Sequence, residues 1–576
     1  MEYKAITGRI KATTAVHVGA GRENQCTDAP CRRDSRGRWV IPGSAVAGTL
    51  RSLATRLAPR FGHGPCAALI NPKVTGYCGC RVCQLFGEIK PGPDMENNEE
   101  QGSSSRVRFY DAPLKDMPGS PLIRDMVGIS RYTNTASATA KFDAEVLPAG
   151  TTFCFRIELD SREEQEQCER LLAAALSEWQ QGRGFIGGLT ARGLGAFILE
   201  EVVVRGYNLN DGKGLMDFLR DDTPWENGQE YQGYLPLLLE GLEKDIQSKS
   251  KKPPYSFKNF VQVKFPLQFE GPFLVSDSSS AGLTRVDHAP LLASMHHGAK
   301  PVLPGSSLRG ALRSHAGKIA RTLSYHRDGP EGFKSSCPAC DPLEKDVKNP
   351  LASCDAFFKD NRYISEDDSY DTKLCLACLL FGSTRAGSRL IIKEAELAES
   401  YNPDYKLMDF LAVDRFTGGG KDGAKFDALA LWRPTFEGDI IMFNPTEWEL
   451  GWLALVLRDL AAGHISLGFG SSKGFGKVTV PGFKLSLGYL DNSDLEELNV
   501  PIVLQSGAKS GICSVVNCDT DLDSDRENLL EICDNWVNSF INKVNSFTRG
   551  QDMELKIDYN ELSLFYPLPG VIASEK

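Results

Sequence analysis

Apolar and polar positions alternate from Tyr3 to Val18, the period of a strand with one buried face. The pattern breaks at Gly19-Ala20-Gly21, a turn, and returns briefly at Trp39–Ile41. From Ser44 to about Leu57 the spacing lengthens: Val46, Leu50, Leu53 and Leu57 share one helical face, with Arg51 and Arg56 off it. The preceding Pro42-Gly43 turns the chain, and Ser44 is well suited to cap this helix. Arg106–Tyr110 and Leu147–Leu159 read as strands, and Glu163–Gln181 as an amphipathic helix burying Leu171, Leu172, Ala175, Leu176 and Trp179. A glycine loop, Gly187–Gly195, precedes a last strand, Ala196–Val204. This order predicts an α+β sheet with helices on one face, compatible with a ferredoxin-like split βαβ.

The whole order then recurs. Phe260–Val275 opens a second unit, Ser306–Leu323 is its first helix, with Leu308, Leu312, Ile319 and Leu323 inward, and Trp448–Ala461 is its second. Pro42-Gly43-Ser44 returns as Pro304-Gly305-Ser306, and Leu85-Phe86-Gly87 as Leu380-Phe381-Gly382. Lys141-Phe142-Asp143-Ala144 returns as Lys425-Phe426-Asp427-Ala428, and the glycine loop as Gly468–Gly476. The separation drifts from 259 residues between Asp28 and Asp287 to 295 between Leu85 and Leu380, yet the landmark order never changes. One domain has been duplicated in tandem. We place the units at residues 1–205 and 260–487, with a linker at 206–259 and an acidic C-terminal extension at 488–576. Leu235–Ile246 and Glu527–Val544 read as helices in the linker and the extension.

Charge changes the picture only locally. The formal net charge is −10, and the extension carries most of it, so the two units are near neutral and can present basic faces. No apolar run approaches the roughly 20 residues that span a bilayer, and the N-terminus is no signal peptide. The expectation is a cytoplasmic protein without a membrane partner.

Most of the 16 cysteines fall in two clusters, which in an intracellular chain point to metal rather than disulfides. In the second unit Cys337-x-x-Cys340 and Cys375-x-x-Cys378 form two knuckles for a tetrahedral Zn²⁺, with Cys354 spare. In the first, Cys66, Cys78, Cys80 and Cys83 supply four thiolates, with His63 as an alternative ligand. Four-ligand sites leave no open position, so both zincs are expected to be structural.

Three further features carry candidate chemistry. The glycine loops present backbone N–H groups and hold Arg192 and Lys473 at equivalent places, as phosphate contacts would; a tight turn before a strand reads the same way. The stretches Arg131–Asp143 and Arg415–Asp427 carry matched cations and read either as solvated hairpins or as arms against an RNA backbone. Asp28 and Asp287 sit on loops just before the buried strand ends. A lone loop aspartate is ordinarily a turn residue, but two in one context, each near a helix start and basic side chains, suggest action on phosphodiesters. No His–carboxylate pair is evident at either, and Asp34, a possible helper, has no acidic match in the second unit. Isolated carboxylates favour a divalent ion or a positioned 2′-hydroxyl over a nucleophile.

The glycine turn after the first strand, Asp-x-Pro, Ile-Pro-Gly-Ser with its helix, and the terminal Gly-x-Gly loop together resemble the RAMP superfamily. More narrowly they resemble backbone subunits of type III CRISPR effector complexes, two of them fused as in the III-D and III-E branches. The resemblance implies two tandem ferredoxin-like, RRM-like domains, each with an inserted zinc loop and a thumb β-hairpin. It implies CRISPR RNA, target RNA and other effector subunits as partners. Asp28 and Asp287 fall on the family's catalytic aspartate, which cuts bound target RNA with a divalent metal such as Mg²⁺. The RNA-contacting set is then Ser44, Arg51, Arg131, Lys141 and Arg192 in the first unit. In the second it is Ser306, Arg309, Arg313, Arg415, Lys425 and Lys473. Two other readings stay open: a guide-binding scaffold whose cleavage comes from another subunit, and an endonuclease that matures the precursor guide.

Overall fold

The computed structural model describes residues 2–23, 25–64, 66, 78–89, 102–131, 133, 135–161, 166–240, 242, 246, 255–295, 298–359, 374–500 and 507–548. Most of the Lys90–Ser105 loop, the Lys249–Pro254 stretch and the end of the extension lie outside them.

The first unit runs β1 (Glu2–Ala12), α1 (Gly43–Leu57), β2 (Val107–Phe109), a thumb hairpin of β3 (Leu122–Ile129) and β4 (Ala136–Val146), β5 (Thr152–Ser161), α2 (Glu166–Gln180) and β6 (Ala196–Asn208). Its sheet has the order β6-β1-β5-β2 with every neighbour antiparallel, the ferredoxin-like arrangement. Along β5, Phe153, Phe155, Ile157 and Leu159 face inward and pack with Val46 and Leu50 of α1 and Leu172 and Leu176 of α2. The residues between them, from Cys154 to Asp160, belong to the opposite face, where Arg156 lies under Trp225 of a short linker helix, so α1 and α2 lie together on the other side.

The second unit repeats the plan with β7 (Asn259–Phe269), α3 (Gly305–Ser336), β8 (Leu390–Ile392), a thumb of β9 (Tyr405–Val413) and β10 (Gly420–Trp432), β11 (Thr435–Phe443), α4 (Glu447–Ala461) and β12 (Lys484–Tyr489). The order β12-β7-β11-β8 is again antiparallel throughout. Two tandem α+β domains of one plan are therefore present. Helix α3 extends well beyond the expected Leu323, with a break at Gly329 where φ is 64°. The expected opening strand pair, Phe260–Val275, is β7 followed by a short strand at Pro272–Phe273, which pairs with the thumb strand β10.

Neither predicted serine caps its helix. Pro42 and Pro304 take the cap position, and neither cap residue offers a side-chain hydrogen bond. At α1 the Asp111 carboxylate, from across the unit, accepts the Gly43 N–H at 2.8 Å. Helix α4 has a complete capping box instead, Thr446 with Glu449.

Segments outside the repeat join the two units. The linker supplies a short helix, Tyr234–Leu239, whose Leu235 and Leu238 enter the first unit's core. Beyond β12, strand β13 (Cys513–Asp519) extends the second sheet and α5 (Asp523–Asn545) covers α4, stacking Phe540 on Trp452. The extension also reaches back. Asp494 accepts two hydrogen bonds from Arg60 at 2.6 and 2.7 Å, and both side chains are fully buried. Arg183 of the first unit, held by Glu178, donates to the Ser510 carbonyl at 2.9 Å. A second buried pair crosses the seam where Arg124 of β3 grips Glu394, just past β8, at 2.7 and 2.8 Å.

A buried pair stripped of one partner leaves an uncompensated charge, at a cost of about 3–5 kcal/mol. Asp494→Ala is expected to lose that much stability in denaturant unfolding of the full chain. Replacing both Arg60 and Asp494 by leucine is expected to restore most of it.

Candidate active sites and cysteine centres

Each loop aspartate is tied to the base of its own thumb. The loop after Gly21 runs beside β4 and bridges it in parallel fashion, Ala29 opposite Ala144. There the Asp28 N–H donates to Asp143 Oδ1 at 2.8 Å, and the Asp143 N–H donates back to Asp28 Oδ2 at 3.0 Å. The second unit repeats it: Asp287 N–H to Asp427 Oδ1 at 2.7 Å, Asp427 N–H to Asp287 Oδ2 at 2.9 Å, with His288 opposite Ala428. Thr27 adds its hydroxyl to Asp143 Oδ1 in the first unit, where the second has Val286. Asp28 and Asp287 are exposed, and among the described residues their Oδ1 atoms take no hydrogen bond. Asp34 does not assist Asp28; it closes a turn by accepting from Arg36 and Arg38.

The glycine loop meets the same thumb base. The guanidinium of Arg192 lies 5.1 Å from the Phe142 ring, and Lys473 lies 5.1 Å from Phe426 and 5.3 Å from Phe469. Phe142 and Phe426 immediately precede the clamping aspartates on the thumb strand, so ring and clamping side chain leave opposite faces of the hairpin and each cation lies on the ring's face. His288 adds an imidazole in the second unit, its Nδ1 3.1 Å from Ser276 Oγ and its ring over Phe469. Much of the glycine density has an internal cause. At Gly187 (φ +88°) a Cβ would stand 2.2 Å from the His17 carbonyl oxygen, and at Gly468 (φ +85°) 2.5 Å from that of Leu274.

The other predicted RNA contacts divide into groups. Ser44 and Arg415 are exposed, and Ser306 is half-buried. Lys141 and Lys425 pair across their hairpins with Asp125 and Asp409 at 3.3 and 3.1 Å. Arg51 and Arg313 turn toward the cysteine knuckles: Arg51 donates to the Gly87 carbonyl at 3.1 Å and Arg313 to that of Gly382 at 3.0 Å. Arg131 leaves its own unit and donates to the Cys340 carbonyl across the seam at 2.9 Å. Arg309 takes no hydrogen bond or ion pair among the described residues, and its Nε is buried without a partner. Burial, then the neighbouring charges of Arg313 and Arg192, push its pKa down to about 10.

The cysteine centres match expectation in the first unit and correct it in the second. Cys66, Cys78, Cys80 and Cys83 bring their sulfurs within 4.8 Å of one another. The second cluster is Cys340, Cys354, Cys375 and Cys378. Cys337 is not a member. It ends α3, packs with Phe333 and Leu351, and directs its thiol at the Ala339 carbonyl. Cys354 takes its place from the start of a short helix. A tetrahedral zinc with Zn–S near 2.3 Å sets its sulfurs about 3.8 Å apart, and the separations here are 3.8 Å for Cys66–Cys83 and 3.4 Å for Cys340–Cys378. No disulfide forms, and both sets fit a structural zinc. Burial pulls the Arg313 guanidinium down, and the sulfurs of Cys378, Cys340, Cys375 and Cys354 more than offset it, so its pKa is raised.

Two ferredoxin-like units, each with a glycine loop, a thumb and an exposed carboxylate at the thumb base, define a duplicated module of one class. The chain belongs to the RAMP superfamily, whose sequence model matches residues 9–198 and again 290–479. It is similar to the CRISPR system Cms endoribonuclease Csm3 of Methanocaldococcus jannaschii, 33% identical over 89 residues, which cover 14% of this chain and 33% of that protein. It is also similar to the protein of the same name from Enterococcus italicus, 32% identical over 111 residues, covering 19% of this chain and 44% of that protein. The matched stretches thus span less than half the length of these curated relatives.

Purified full-length protein is expected to carry about two zinc ions per chain by elemental mass spectrometry. Cys354→Ser is expected to lose one of them, and Cys337→Ser to keep both.

Proposed function

We propose that the chain is a CRISPR RNA-binding backbone subunit of a type III effector complex that cuts guide-paired target RNA at two sites. The observation that carries this reading is the exposed carboxylate at each thumb base, clamped in the same way in both units. The family membership supports RNA as the polymer, and the two relatives named endoribonuclease support cleavage.

The groups present suit phosphodiester cleavage by the target's own 2′-hydroxyl. In that step the 2′-hydroxyl releases its proton to solvent, its oxygen attacks phosphorus and the bond to the 5′-oxygen breaks. The products are a 2′,3′-cyclic phosphate and a 5′-hydroxyl that takes its proton from solvent. Asp28 and Asp287 each present one unoccupied oxygen to orient the hydroxyl or to hold a divalent cation such as Mg²⁺, which when bound neutralises charge on the phosphate. Arg192 and Lys473 supply fixed positive charge from the glycine loops. Arg309, a cation crowded by Arg192 and Arg313 at the seam, is suited to a guide phosphate. The two Cys₄ centres are full and take no part in the chemistry.

The test uses the full chain assembled with its guide and an end-labelled target. Asp28→Ala and Asp287→Ala are each expected to abolish one cut, by about 100-fold or more, and to leave the other cut and target binding unchanged. Products unchanged in both variants assign the chain a scaffold role, with cleavage supplied elsewhere. Cutting of labelled precursor guide instead of target assigns guide maturation.

A further inference from the structure

The aspartates that clamp Asp28 and Asp287 have no role in the reading above beyond proximity, and the geometry gives them one. Asp143 and Asp427 sit on the thumb strands, directly opposite Asp125 and Asp409 of the neighbouring strands. Each closes a ring of two reciprocal hydrogen bonds with the loop aspartate, between 2.7 and 3.0 Å. The ring fixes two things together. The carboxylate of Asp143 holds the backbone of the Asp28 loop, and the backbone of Asp143 selects which oxygen of Asp28 faces the strand. The other oxygen must then face outward. Hydrogen bonds that involve a charged partner are short and roughly twice as strong as neutral ones, which suits them to orient a side chain that stands exposed on a loop whose neighbours, such as Pro30 and Pro290, are buried.

We infer that Asp143 and Asp427 are positioning residues for cleavage at the first and second site. They set the register and side-chain orientation of Asp28 and Asp287 without touching RNA themselves. The inference rests on the proposed roles of Asp28 and Asp287. It adds that the thumb base, not the loop alone, decides where each carboxylate stands. The arrangement does not need the charge of Asp143 for chemistry. It needs an acceptor at Oδ1 and an N–H on the backbone, and asparagine provides both.

The test compares Asp28→Ala, Asp143→Ala and Asp143→Asn in the full chain assembled with guide RNA, scoring the two cuts separately on end-labelled target. A misplacement of about 1 Å costs on the order of 100-fold in rate, so Asp143→Ala is expected to slow the first cut by about that factor. The second cut in the same molecule is expected to keep its rate, which separates a local effect from failure to fold. Asp143→Asn is expected to remain within about tenfold of the parent. Asp427→Ala and Asp427→Asn are expected to give the mirror result at the second cut. An asparagine variant as inactive as the alanine variant overturns the positioning role in favour of a direct role for the charge. A parental rate in Asp143→Ala, with Asp28→Ala inactive, overturns the clamp and spares the assignment of Asp28. A first cut that survives Asp28→Ala overturns both.

Discussion

A carboxylate that stands in water cannot be held in one orientation by packing. Both units meet this constraint with the same pair of opposed hydrogen bonds between a loop and the foot of a hairpin. Much of the surrounding architecture follows from it. The hairpin strand must leave the sheet at a set register to offer the aspartate's N–H. The glycine loop must pass close enough to crowd a neighbouring carbonyl, which only residues without a Cβ allow at Gly187 and Gly468. The ring of Phe142 or Phe426 then seats the cation that this loop carries.

The two copies keep this arrangement and differ in what surrounds it. The first thumb is anchored within the chain, by Arg124 on Glu394 and by Arg131 on the Cys340 carbonyl. At the register position of Arg124 the second thumb has Met408, while both thumbs leave an apolar row exposed: Ile123, Val127 and Ile129 in the first, Leu407, Leu411 and Val413 in the second. Phe416 at the tip of the second is 99% exposed. Duplication has thus produced one thumb closed across the seam and one that lacks those two contacts among the described residues. The cysteine centres take part in the closed one. The second knuckle receives the first thumb on its backbone and Arg313 on its sulfurs, so a zinc there would stiffen a contact surface as well as a loop.

The duplication, the fold and the two exposed aspartates were legible because each leaves a local signal that occurs twice. The clamp was not. Asp28 and Asp143 are 115 residues apart, and Asp287 and Asp427 are 140 apart, so only strand register brings them together. Their signal was present, since the Lys-Phe-Asp-Ala quartet recurs, but it reads as a landmark until the hairpin is folded. Pairing by Cys-x-x-Cys spacing misled at Cys337, because the end of α3 turns that thiol away and a short helix brings Cys354 in. Helical periodicity placed Arg51 off the apolar face, but it carries no information about the knuckle folded over that side, nor about the matching one at Arg313.

The fully buried pair between Arg60 and Asp494 has a consequence for how this chain is made. Its members are 434 residues apart in the sequence. At ribosomal rates of about 5–20 residues per second, Arg60 waits roughly 20–90 s for its partner to emerge. Through that interval the first unit cannot close over the guanidinium without stranding a charge. The nascent N-terminal half therefore keeps one flank hydrated, and its final consolidation is timed by the arrival of a segment synthesised long after its own sheet is complete.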